Sequence, residues 1–127
     1  MTLAAILAIV LLVAITAFQL GLAFGAPWGA AAWGGQSPGV LPQRLRIASG
    51  VAAIVVYPIL IALVLASAGL IDDGWLPVDG SLIMWGLAVL LGVGAVMNFA
   101  SPSRPERTWG PVALTIALCC VVIALGI

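Results

Sequence analysis

All eight charged residues of this 127-residue chain sit in three short segments, leaving residues 3–24, 47–71, 82–100 and 111–127 without a single one. At a rise of ~1.5 Å per helical residue, the first three stretches, about 22, 25 and 19 residues long, match a hydrocarbon core of roughly 30 Å. The fourth, about 17 residues, reaches across with some local thinning. Inside lipid a backbone has no water to bond to, so each stretch must satisfy its own amides as a helix. The expected fold is therefore all-α: a polytopic membrane four-helix bundle in one domain, residues 1–127.

The same pattern excludes most activities. Only 6% of the residues are charged, against about a quarter in soluble domains, and the four spans leave no length for a soluble module. Four Arg, no Lys and zero net charge give no polybasic segment to hold nucleic acid. The first span lacks a basic leader and exceeds the apolar length of a signal peptide, so it is expected to remain as a span. There is no His, and the adjacent Cys119 and Cys120 have neither redox-pair nor zinc-ligand spacing, so they read as small packing residues. No cofactor or metal is expected. With no carboxylate in any span, haem, quinol-linked redox and proton pumping are not expected either.

Charge placement predicts orientation. Arg44 and Arg46 end the first loop and Arg104 and Arg107 lie in the third, whereas the middle loop carries Asp72, Asp73 and Asp79. Arginine-bearing loops stay in the cytoplasm, which makes this a multi-pass protein of the bacterial cytoplasmic membrane with both termini outside. Trp28, Trp33 and Trp109 then fall at the inner membrane edge and Trp75 and Trp85 at the outer, where indole rings favour the headgroup level.

Within the spans, Gln19 and Asn98 are the costly residues, because an amide in hydrocarbon must find partners. Both lie toward the inner ends of their helices and form a candidate polar floor. Pro58 removes an amide donor mid-span, so a kink near Tyr57 and a freed Ile54 carbonyl are expected. Ala17, Gly21 and Gly25 in the first span, and Ala88 and Gly92 in the third, recur at four-residue spacing and predict seams of close helix packing.

The inner corners are irregular. Residues 25–43 hold five Gly and three Pro, yet Trp28, three consecutive Ala and Trp33 make them too apolar for a solvated loop. Pro27 reads as the start of a short helix and Gly34 as its stop, lying in the interface or re-entering the membrane. The runs GAPWG (25–29) and WGG (33–35), then LPQRLRIAS (41–49), MN (97–98) and SPSRPER (101–107), resemble a family of small, uncharacterised four-span bacterial integral membrane proteins. The resemblance covers the two inner corners, and the spans by composition alone. It implies a four-span bundle and carries over no catalytic or binding residue.

Two functions fit. One is a non-enzymatic accessory or lipid-interaction bundle. Its site of Arg44, Arg46, Arg104, Arg107, Trp28 and Trp33 would take an anionic lipid headgroup, since guanidinium matches phosphate through paired donors, or dock on a larger membrane protein. The other is an oligomeric channel or transporter for a small neutral or anionic solute, with Asn98, Gln19, Tyr57 and the arginines lining an inner vestibule. Partners are thus membrane lipids, a larger membrane protein, or a second copy of the chain. An enzyme is not expected: Ser101, Ser103 and Glu106 lack a histidine base, and Glu106 reads as a capping partner of Ser103 or a neutraliser of Arg104 and Arg107.

Overall fold

A computed structural model describes residues 1–127. The chain is all-helical, with four helices long and apolar enough to cross a membrane: α1 (Thr2–Ala23), α2 (Gln43–Ser67), α3 (Gly80–Phe99) and α4 (Arg104–Leu125). This is the architecture of a multi-pass membrane protein. Two ends of the bundle differ in charge. One, the arginine end, joins α1 to α2 and α3 to α4; the other, the aspartate end, carries both termini and the loop with Asp72, Asp73 and Asp79.

The helix limits follow local chemistry rather than absence of charge. Helix α2 starts at Gln43, ahead of the expected residue 47, because Pro42 at its N-cap is held extended at φ −62° and ψ 156° and the arginines tolerate the first turn. It stops at Ser67 instead of continuing to 71. There Gly69 turns left-handed at φ +75°, and its amide and that of Leu70 close back onto the carbonyls of Ala66 and Leu65 at 3.1 and 2.9 Å. Helix α3 begins two residues earlier than expected, capped by the Asp79 carboxylate, which accepts the Ser81 amide at 2.8 Å. Helix α4 opens at Arg104, seven residues ahead of its charge-free stretch, and so takes Glu106 into its first turn.

Pro58 acts differently from a simple kink. The preceding segment Ala52–Val56 widens into a π-turn, and the Tyr57 amide reaches back five residues to the Ala52 carbonyl. A proline ring collides with the carbonyl four residues before it, here Ile54, and the wider turn makes room for that carbonyl.

The aspartate half packs tightly. Ala5, Ala8, Leu12, Val64, Met84, Ile116 and Cys120 are almost wholly buried, and Cys119 and Ile123 join the same core. The most extensive helix contact is between α3 and α4. On α4 the buried Gly110, Ala113, Ala117 and Cys120 form the small-residue stripe that lets the neighbours come close. The Met1 amine donates to the Ile127 carbonyl, and Ser81 Oγ donates to the Ala124 carbonyl at 3.0 Å, tying the aspartate end together.

The stripes expected on α1 and α3 are not the seams. Ala17 is exposed and Gly25 lies beyond the end of α1. A Cβ on Gly21 would meet the Trp28 ring at 2.2 Å, so Gly21 seats a side chain and not a helix. On α3 Ala88 is buried but a Cβ at Gly92 would face open space. The real contact face of α1 is Ala5, Ala8 and Leu12, one helical turn apart in register.

Candidate functional site

The first loop forms a lid over the arginine end. Instead of one short helix from Pro27 to Gly34, it holds two 3-10 turns, Gly29–Ala31 and Trp33–Gly35, separated by an extended Ala32 at φ −145°. The reason is a pinch in the backbone: the Gly29 amide donates to the Gly39 carbonyl at 2.8 Å, and a Cβ on Gly29 would lie 1.9 Å from the Ser37 carbonyl oxygen. A continuous helix has no place for that crossing. Trp28 then stacks on Phe18, with centroids 5.8 Å apart and planes 8° from parallel, and Phe18 meets Trp109 at 4.8 Å.

Trp33 carries the strain of this turn. Its φ of +52° is rare for a bulky residue, and Gly34 and Gly35 follow at +79° and +71°. Neighbours fix the geometry. The Trp33 indole N–H donates to Ser49 Oγ at 2.9 Å, where Ser49 is wholly buried on α2. The Gly34 amide donates to Glu106 Oε2 at 2.8 Å, and Ser103 Oγ donates to the Ala30 carbonyl. The lid is thus stapled to α2 on one side and to the α3–α4 corner on the other.

The arginines split into two pairs. Arg46 Nε donates to the Ala23 carbonyl at 3.2 Å and Arg107 donates to the Ser101 carbonyl at 3.2 Å, so both brace a corner by satisfying a carbonyl at or beyond a helix end. Arg44 and Arg104 are exposed and make no hydrogen bond within the chain. The four arginines and two tryptophans therefore do not converge on one site. Nor does Glu106 cap Ser103 or neutralise Arg104 and Arg107; it turns inward, 7% exposed, to the lid.

Beneath the lid lies a cavity of about 280 Å³. Its polar wall is Gln19 from α1, Tyr57 from α2, Asn98 from α3 and Glu106 from α4, one group per helix. Phe18, Trp33 and Trp109 give it an aromatic wall. The helical spacing accounts for the convergence, since Leu91, Gly94 and Asn98 share one face of α3 and Glu106, Trp109 and Ala113 one face of α4. Gln19 lies one turn, about 6 Å, below the end of α1. Its amide sits beside the Tyr57 hydroxyl, yet Gln19 Oε1 is buried with no donor.

Gln19 and Asn98, expected as a polar floor, do line this one space. Glu106, Phe18 and Trp109 are cavity-lining residues that sequence reasoning missed. The signal was the three- and seven-residue spacing of Glu106, Trp109 and Ala113, hidden because the charge-free span starts only at Pro111 and leaves Glu106 and Trp109 in the loop before it. With Glu106 the one carboxylate at the cavity, no group of three acidic, His or Cys side chains could hold a metal ion. The arrangement can recognise a small molecule by hydrogen bonds and ring contacts; it offers no nucleophile paired with a base. No protein-family model, curated protein or solved structure matches this chain.

Proposed function

We propose that this chain is a non-enzymatic membrane bundle that admits a small solute to the cavity beneath its lid, as a binding unit or as one unit of a carrier or channel. The proposed setting is a bacterial cytoplasmic membrane, with the arginine end inward and both termini outward. The observation that carries the reading is the meeting of four polar side chains from four helices around one space, with Gln19 Oε1 left buried and unpaired. The π-turn beside Tyr57 adds support, because such turns concentrate at functional positions. Ser103 and Thr108, the hydroxyls nearest Glu106 along the chain, are engaged with the Ala30 and Pro105 carbonyls, which favours a non-enzymatic role.

The test is tryptophan emission from the protein in lipid nanodiscs, since Trp33 and Trp109 line the cavity. A panel of small amines, polyols and carboxylates is titrated against the parent and Asn98→Leu. A saturable response to at least one solute, weakened by the substitution, supports the reading. Silence across the panel contradicts it.

A second reading rests on Arg44 and Arg104, which are exposed and free of partners within the chain. They suit anionic headgroups, each adding about 1 kcal/mol of attraction near a charged leaflet, or a larger membrane protein docked at the same face. Native mass spectrometry of gently extracted protein distinguishes these roles: a retained anionic lipid or partner lost in Arg44→Ala with Arg104→Ala favours the accessory function.

A further inference from the structure

We infer that the cavity takes a small organic cation bearing N–H donors, a primary or secondary ammonium, and not the neutral or anionic solute that the arginine-rich corners suggest. The inference rests on the solute-binding reading above and names its ligand. Its first support is Glu106. The carboxyl group is 93% buried by its 7% exposure, Oε2 accepts the Gly34 amide at 2.8 Å, and Oε1 accepts nothing within the chain. No arginine pairs with it, since Arg46 and Arg107 are turned to the Ala23 and Ser101 carbonyls. A position in the first turn of α4 makes a negative charge tolerable there through the helix dipole, but does nothing to fill the second oxygen.

The second support is independent of Glu106 and is aromatic. The space presents one carboxylate with an oxygen still open to an N–H donor. Phe18, Tyr57, Trp33 and Trp109 supply aromatic surface, whose faces attract cations. An anion would meet Glu106, which no guanidinium pairs in a salt bridge. A cation without N–H groups would leave Glu106 Oε1 without a donor. At about 280 Å³ the cavity is just under the usual range for drug-sized ligands, which begins near 300 Å³, so the cation is small. The ammonium could come from a free amine or from the headgroup of an ethanolamine phospholipid, since the two share this chemistry.

The probe is cyclohexylamine, titrated by tryptophan emission into nanodiscs of phosphatidylcholine and phosphatidylglycerol, with cyclohexanol and cyclohexanecarboxylate as neutral and anionic controls. Cyclohexylamine is expected to give a saturable response at least tenfold tighter than either control. Glu106→Gln, which keeps an acceptor for the Gly34 amide, is expected to weaken it by roughly tenfold to a hundredfold, the worth of a charged hydrogen bond, with helix content unchanged by circular dichroism. Tetramethylammonium is expected to bind more weakly than the amine. Adding phosphatidylethanolamine to the disc distinguishes the sources within the proposal: competition assigns the headgroup, and no competition assigns a free amine. Equal binding by parent and Glu106→Gln, or tighter binding of the alcohol or carboxylate, overturns the cation while leaving the solute-binding cavity standing. No response to any of the compounds overturns both.

Discussion

The two halves of this bundle use the same four helices for opposite ends. In the aspartate half the helices meet through Ala5, Ala8, Leu12, Val64, Met84 and Cys120, and the only buried side-chain oxygen without a hydrogen bond is Ser67 Oγ. In the arginine half they part around a cavity with amide, phenol and carboxyl groups, and a strained lid forms part of its wall. Lipid gives helices no hydrophobic reason to associate, so close contact between small residues holds the first half together. Such packing leaves no room for a ligand. The second half keeps only a small apolar cluster of Leu22, Ala32 and Leu41 with the Phe18–Trp28 stack, and three hydrogen bonds tie the lid to α2 and to the α3–α4 corner.

That contrast predicts where substitutions act. The largest effect is expected from Leu12→Ala, which opens a cavity in the packed half and should cost about 3 kcal/mol in reversible unfolding from detergent, while leaving hydrogen exchange in residues 24–42 unchanged relative to the rest. Next comes Gly29→Ala, whose new methyl group would collide with the Ser37 carbonyl and, at 2.7 Å, the Gly39 carbonyl. It should cost about 2 kcal/mol, and the exchange protection it removes should be confined to the lid. Loss of protection in α1 near Ala8 would show that the halves are not separable. Trp33→Phe should cost about 1 kcal/mol by removing the bond to Ser49, with a red- or blue-shift change in the remaining emission limited to the arginine half. Smallest of all is Asn98→Leu. Near zero or slightly stabilising in the same unfolding assay, it sharpens the contrast by showing that this polar wall does not hold the fold together; a cost comparable to Leu12→Ala would make it structural.

Much of the packed half was legible because one rule governs it. A charge-free run of the right length in lipid must be helical, and small residues mark where such helices meet, although Ala17, Gly21 and Gly25 show that a four-residue spacing does not say what fills the groove. Gly21 faces Trp28 of the lid, a contact no periodicity encodes. In the arginine half Gln19 and Asn98 could be singled out by their cost in hydrocarbon. Glu106 could not, because its neighbours Arg104 and Arg107 offered a simpler local partner, and only the return of the lid brings the Gly34 amide to its carboxylate across 72 positions. The π-turn was likewise out of reach: Pro58 fixes that the ladder must break, not how the preceding turn relaxes.

Accessibility of thiols to a polar, membrane-impermeant methanethiosulfonate compares the two halves most directly. Cys119 and Cys120 report on the packed half, at 6% and 0% exposure, and Gly94→Cys reports on the cavity, where a Cβ meets no atom within 4 Å. With the reagent added in turn to each side of the membrane, Gly94→Cys is expected to label from the arginine side at least tenfold faster than the two native thiols, and to be protected by a bound cavity ligand. Labelling no faster than Cys119 and Cys120, or only from the aspartate side, would contradict a solute-accessible cavity beneath the lid.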